Sequence, residues 1–297
     1  MLNIHNLNKS YGDRQVLQNL TLNINNSEIY GLLGANGSGK TTTINIICNL
    51  LKADSGEIKL NNQLISESTK KLIGIAPQEN LLYKTLTCEE NLHFFGEIYG
   101  LSRKNIQKQT KDILDAINLS DRAKSPVETL SGGMQRRLNI AVALVHQPKL
   151  VILDEPTTGL DIEARYEIWE LIRRLKTQGI TVLLTTHLLD EAERLCEKIG
   201  ILKNGRILVE GSLAELRNLI PAQEVLLLKT TQEEKAIARA QTYGFTHRYY
   251  DQELAFWLPE SLELKEIISR FEGINIDAIS RQPVKLEHIY LEVTQQI

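Results

Sequence analysis

The 297-residue chain contains no apolar run approaching the ~18 residues that a membrane span requires. Its opening stretch, MLNIHNLNKS, lacks both a basic region and an apolar core, so a secretory signal is not expected there. Cysteine is scarce: Cys48, Cys88 and Cys196 are widely separated and odd in number, which argues against a disulfide framework or a zinc site and for a reducing compartment. The expectation is a cytosolic chain that serves a membrane, if it serves one, through partners. Excess positive charge is also missing. With 24% charged residues and a net charge of -3, no general attraction to nucleic acid is expected. There is no internal repeat and no low-complexity tract. What is present is 42% apolar residues, enough for one large domain or a core domain with a smaller appendage.

Short apolar, β-branched runs at Ile29–Leu33, Val151–Leu153 and Thr181–Thr186 have the character of buried strands in a mostly parallel sheet. Helical patterns alternate with them over Lys40–Leu51, Glu89–Tyr99, Lys104–Ile117, Arg165–Gln178 and Leu188–Cys196. Alternation of strand and helix predicts an α/β core. Near residue 212 the character changes: Ser212-Leu-Ala-Glu215 is a capping-box pattern, and Pro221 follows. Beyond it, β-like Val225–Thr230, helical Glu233–Tyr243, β-like Leu254–Leu258 and a helix from Ser261 suggest a small α+β appendage. The expected division is 1–220 and 221–297.

Gly34-Ala35-Asn36-Gly37-Ser38-Gly39-Lys40-Thr41 matches G-x-x-x-x-G-K-[ST], placed after a strand and before a helix. Such a loop lets successive N–H groups face a phosphate, with Lys40 reaching the β- and γ-phosphates and the Thr41 hydroxyl turned to Mg²⁺. Asp154-Glu155 ends a buried strand, where adjacent acids are costly unless used. Asp154 is suited to hold Mg²⁺. Glu155, expected on the opposite side of the strand and away from the metal, is suited to polarise a water for attack. His187 follows another strand and is placed to donate to the γ-phosphate or that water; taken alone, a histidine at a strand end is more often structural. Gln78 follows a short β-like run, where a carboxamide can contact both metal and water; taken alone, an ordinary loop glutamine is the better reading. Tyr11 precedes the loop by enough chain for a hairpin and is either an adenine-stacking ring or a half-buried hairpin tyrosine. Leu130-Ser131-Gly132-Gly133-Met134 opens a second glycine-rich helix with no general base or metal ligand of its own.

Taken in order, Tyr11, the Gly34–Thr41 loop, Gln78, Leu130-Ser-Gly-Gly-Met, Asp154-Glu155, Thr158-Gly-Leu-Asp161 and His187 resemble the ATP-binding subunits of ABC transporters. The resemblance covers about residues 1–215. It implies a P-loop NTPase core with a parallel sheet, an antiparallel β subdomain, an inserted helical subdomain over about 81–130, and the α+β appendage. Cofactors implied are ATP and Mg²⁺. Nucleotide would be bound by Tyr11, Gly34 to Thr41 and Thr42, with Thr41, Gln78 and Asp154 at the metal and Glu155, His187, Gln78 and Lys40 in hydrolysis. In that family two domains pair head to tail, so Ser131, Gly132 and Gly133 would meet the γ-phosphate of the partner's ATP, with Asp161 at the seam. The partners implied are a second copy or a sister ATP-binding subunit, and an integral membrane permease; nucleic acid is not expected. The chain would lie peripherally on the cytoplasmic face of the inner (cell) membrane.

Met134 stands where the family commonly has Gln, and Met134-Gln-Arg-Arg137 resembles the export-type branch with separate permeases. Intact Glu155 and His187 imply active hydrolysis and disfavour a purely regulatory ATP-holding module. A competing reading is an ABC ATPase acting on nucleic acid or ribosomes; such proteins usually carry two ATP domains or long coiled coils, which this chain lacks.

Overall fold

A computed structural model of the chain describes residues 1–295, which form two compact units, Met1–Ser212 and a second that begins at Leu213. Residues 296 and 297 of the expected appendage lie outside the described residues. The first unit opens with a hairpin of β1 (Leu2–Tyr11) and β2 (Arg14–Ile24). Tyr11 pairs with Arg14 across a two-residue turn in which Gly12 holds φ 58°, a conformation glycine adopts without a Cβ clash. β3 (Ile29–Leu33) enters a second sheet and leads to α1 (Lys40–Ile47). β4 (Ser55–Leu60) and β5 (Gln63–Leu64) complete a four-stranded antiparallel sheet in the order β2-β1-β4-β5.

After α2 (Glu67–Lys70) and β6 (Ile73–Ala76) come three helices, α3 (Cys88–Ile98), α4 (Arg103–Ala116) and α5 (Gly132–Leu144). Each starts at a hydroxyl residue, Thr87, Ser102 and Ser131, whose side chain accepts from the backbone N–H three residues on and so satisfies an otherwise orphaned donor. The remaining elements of this unit are β7 (Leu150–Asp154), α6 (Ile162–Thr177), β8 (Thr181–Thr186), α7 (Leu189–Leu195), β9 (Lys198–Lys203) and β10 (Arg206–Gly211). The six-stranded sheet runs β10-β9-β3-β8-β7-β6, parallel throughout except for β10 at its edge. β3 and β8 are buried at every residue, as strands of a parallel sheet covered on both faces must be.

Register decides where the chemistry falls. Leu33 lies opposite Thr186, Thr185 opposite Asp154, and Leu153 opposite Ala76. The residues one or two positions beyond these, Gly34, His187, Glu155 and Gln78, are therefore delivered to one edge, the carboxyl ends of the parallel strands, where open α/β sheets hold their ligands.

α1 stops at Ile47, short of the Leu51 predicted from its pattern. Asn49 takes φ 54°, and the N–H groups of Leu50 and Leu51 both return to the Asn45 carbonyl, a helix-ending geometry that pattern alone does not reveal.

The second unit starts with α8 (Leu213–Arg217) and continues as β11 (Glu224–Lys229), α9 (Glu233–Gln241), β12 (Thr246–Tyr250), β13 (Glu253–Leu258), α10 (Leu264–Arg270), β14 (Ala278–Pro283) and α11 (Leu286–Gln295). The expected β-α-β-α order gains two strands, and β-α-β-β-α-β with the antiparallel order β12-β13-β11-β14 is the ferredoxin-like motif. Leu226 and Phe256 on its sheet pack with Ala236, Phe245 and Phe271 in one apolar cluster.

Also buried here is His288, 2% exposed, whose Nδ1 accepts from the Lys285 N–H and whose ring lies 4.7 Å from that of Tyr250. Burial first, and the Lys285 charge second, depress its pKa to about 4. A histidine depressed on folding binds its proton more readily when unfolded, so stability falls as pH drops from about 6.5 toward 4. We expect a loss of roughly 3 kcal/mol across that window, less whatever the site recovers by relaxing. Hydrogen exchange of the β13 amides in the full chain checks it, and His288→Asn should flatten the dependence.

Candidate functional site

The turn from β3 into α1 is shaped by small residues. Gly37 and Gly39 hold φ 79° and 114°, and a Cβ on Gly39 would stand 2.7 Å from the Leu17 side chain. At Gly34 a Cβ would meet the Leu202 carbonyl and Ser38 Oγ at 2.6 Å each, so the loop closes only on glycine. Ala35, Asn36 and Gly37 are exposed at its tip, while Ser38, Gly39 and Lys40 are buried. Ser38 Oγ is buried with no hydrogen-bond partner among the described residues.

Lys40, 6% exposed, turns back over this loop. Its Nζ donates to the Gly34 carbonyl at 2.7 Å and the Ala35 carbonyl at 3.3 Å, and stands 3.4 Å from Glu155 Oε1. Glu155 is 7% exposed and collects partners from four segments. Besides Lys40, His187 Nδ1 lies 3.1 Å from Oε1. Gln78 Nε2 and Thr158 Oγ1 donate to Oε2 at 3.2 and 3.3 Å. Burial pushes this carboxyl up, but the hydrogen bond and charge of His187 and the charge of Lys40 outweigh it and hold it below the usual carboxylate range. Glu155 is therefore ionised at neutral pH, the state in which a carboxylate can take a proton from water.

The expectation that Glu155 points away from the metal candidates is corrected by this geometry. Strand alternation ends at Asp154; Glu155 has φ 47°, which swings its side chain toward Gln78 and Lys40.

Tyr11, Ala35, Asn36, Gly37, Gly39, Lys40, Thr41, Thr42, Gln78, Asp154 and Glu155 line one cleft of about 390 Å³, joined by Arg14 and Val16. Tyr11 is 51% exposed on its rim, with Lys9 Nζ 5.8 Å from the ring centre. The Thr41 hydroxyl, the Gln78 carboxamide and the Asp154 carboxylate offer hard oxygen donors around this one space, a set that suits Mg²⁺ shared with phosphate oxygens. Among the described residues no group of three or more His, Cys, Asp or Glu forms a self-sufficient metal site. Asp154 accepts from the Thr185 hydroxyl, which fixes its carboxylate.

Ser131, Gly132, Gly133 and Asp161 do not line that cleft. Ser131 caps α5 through Met134 N–H at 3.3 Å, and Asp161 caps α6 through Ala164 N–H at 2.8 Å. Both caps and Gly132 are exposed. The two helix starts touch, because a Cβ on Gly133 would stand 2.7 Å from that of Ala164, whereas one on Gly132 would meet nothing within 4 Å.

Three contributors carried no assigned role in the sequence: Thr158, Thr185 and Glu191. Glu191 on α7 is fully buried, accepting from Thr157 Oγ1 at 2.7 Å and Trp169 Nε1 at 3.1 Å. Burial raises its pKa, against the pull of these bonds. It ties the helix after His187 to the segment after Glu155. Its position four residues past His187 was the available signal, invisible until the partners are known.

Against known proteins, a family model described as ABC transporter matches residues 17–158. The linearmycin resistance ATP-binding protein of Bacillus subtilis (strain 168) is 35% identical over 99% of this chain and 98% of its own. A Nod factor export ATP-binding protein I of Cupriavidus metallidurans is 42% identical over 99% of this chain and 97% of its own. Among solved structures, the dimeric post-hydrolysis state of an ATP-binding cassette bound to ADP and phosphate aligns with a TM-score of 0.64 at 30% identity, covering 71% of this chain and 98% of that one.

The two glycines of the α5 start separate by experiment. Gly133→Ala must displace Ala164 and is expected to cost about 1–3 kcal/mol of stability. Gly132→Ala meets open space and is expected to leave stability unchanged or raise it by up to about 1 kcal/mol. Thermal unfolding of both variants, with ATP turnover measured beside it, tells whether Gly132 is needed for anything outside its own fold.

Proposed function

The chain belongs to the ATP-binding subunits of ABC transporters, a family that hydrolyses ATP, and from that premise we propose that it powers export through a separate membrane permease. It works as a pair, with a second copy or a sister subunit, held peripherally on the cytoplasmic face of the membrane. The relatives named for resistance to linearmycin and for export of Nod factor support the direction of transport. Among the described residues no helix is long and apolar enough to cross a membrane, so the pathway for cargo is assigned to the permease.

The observation that carries this reading is a division of labour. Lys40, Gln78, His187 and Glu155 converge at one sheet edge, while Ser131, Gly132 and Asp161 stand exposed outside the cleft they would otherwise serve. A head-to-tail pair brings the second set onto the partner's nucleotide. The loop Gly34 to Thr41 cradles the phosphates, Lys40 exchanges its own loop carbonyls for phosphate oxygens, and Tyr11 stacks on the base. Thr41, Gln78 and Asp154 would hold Mg²⁺, which neutralises charge on the phosphate oxygens. Glu155 accepts a hydrogen bond from the attacking water and takes its proton, Gln78 and His187 orient that water, and Ser131 with the Gly132 and Gly133 N–H groups stabilises the transferring phosphoryl from the partner's side.

Glu155→Gln keeps the side-chain volume and removes the base. In the purified chain with its permease in lipid, it should lower Mg²⁺-dependent ATP turnover by about 10²–10⁴-fold while leaving ATP binding near parent level. ATP should then accumulate a stable dimer, read by light scattering. Undiminished turnover, or no turnover in the parent, would sink the proposal.

A further inference from the structure

The guanidinium of Arg136, one turn into α5, is 4% exposed and forms no ion pair among the described residues within salt-bridge distance. It is spent entirely on neutral acceptors from two chain segments. Nη1 donates to the carbonyls of Pro77 and Gln78 at 2.5 and 3.1 Å and reaches Asn80 Oδ1 at 3.4 Å. Nη2 donates to the carbonyls of Asp154 and Glu155 at 2.8 and 3.1 Å, and Nε to that of Pro156 at 2.8 Å. Burial lowers its pKa, opposed by the charges of Asp154 and Glu191. Three residues on, Asn139 adds a second grip on the same loop, donating to the Pro77 carbonyl at 3.3 Å and accepting from Leu81 N–H at 3.2 Å.

Burying a guanidinium is costly unless its fork is satisfied, and a planar fork with fixed directions fits two strand ends only in one relative placement. The side chain therefore fixes the backbone that carries Gln78 and the backbone that carries Glu155 to each other and to α5. The same helix begins at Ser131.

We propose that Arg136 is a positioning residue that couples the two ATP sites of the pair. The inference rests on the head-to-tail reading above. A nucleotide of the partner, engaged at Ser131 and Gly132, shifts α5, and the guanidinium carries that shift to the carbonyls of Gln78 and Glu155 in its own chain. Each site then reaches its hydrolytic arrangement only when the other is filled. Lysine in its place keeps charge and stem but directs its three donors from one nitrogen, which cannot span both sets of carbonyls as the fork does.

The test compares parent, Arg136→Lys and Arg136→Met for ATP dependence of turnover, with ATP-driven dimerisation measured in each in the Glu155→Gln background. Expected are a parent Hill coefficient approaching about 2 that falls to about 1 in both variants, and a kcat lowered about tenfold or more with KM within about threefold. Dimerisation by ATP persists. In a double-substitution cycle with Gln78→Ala, the losses should be strongly non-additive, since both act on one arrangement. An unchanged Hill coefficient, losses that simply add, or a parent that is not cooperative would overturn coupling. So would failure of both variants to fold, or a fall in melting temperature that accounts for the lost turnover, since either makes Arg136 a structural strut. Failure of Glu155→Gln alone to dimerise with ATP would instead strike the head-to-tail reading, and the coupling with it.

Discussion

A carboxylate buried at the end of a parallel strand is the constraint around which the first unit is arranged. Glu155 is 7% exposed, and an unpaired charge at that depth is strongly destabilising. Its partners come from four places in the chain: Lys40 after β3, Gln78 after β6, Thr158 just beyond it and His187 after β8. They can meet only if the strand ends are level, which the parallel register secures. Satisfying one charge and assembling a phosphate site are thus the same structural act. The Lys40 pair also explains why the loop can hold an inward-turned lysine: its ammonium has two loop carbonyls and a carboxylate in place of water.

Much of this unit was readable from residue order, because buried parallel strands announce themselves as apolar runs and the chemistry sits one or two residues past each. The second unit was less readable for a definite reason. β12 and β14, absent from the expected order, are the two edges of their sheet, and their sequences, THRYY and AISRQP, are largely polar with the second ending in Pro283. Edge strands are kept polar and interrupted to avoid pairing with other chains, so they imitate loops. β11 and β13, the central pair, carried the apolar pattern and were legible.

Within the site, the residue types were legible and the directions were not. Alternation along β7 sends Glu155 away from Asp154, yet a left-handed backbone at Glu155 cancels that inference. Arg136 was hidden for a different reason. An arginine in a helix start ordinarily signals a solvated face, and nothing in the sequence tells that its acceptors are carbonyls far along the chain.

Gly132 is what distinguishes a shared site from an ordinary capped helix. Ser131 is fully explained by the fold, since it caps α5. Gly133 is explained as well, since Ala164 leaves no room for a Cβ. Gly132 has neither excuse: space is open around it, it is exposed, and a helix start pays an entropic penalty for glycine without return. The first N–H groups of a helix beside a cap hydroxyl suit an anion, yet the chain's own Gly34–Thr41 loop lies in a cleft these residues do not line. The fold of the chain alone gives no reason for the missing Cβ, which suits the proposed approach of a phosphate from a partner. In the proposed head-to-tail pair it would be the partner's triphosphate, received by the helix whose Arg136 holds the Gln78 and Glu155 carbonyls.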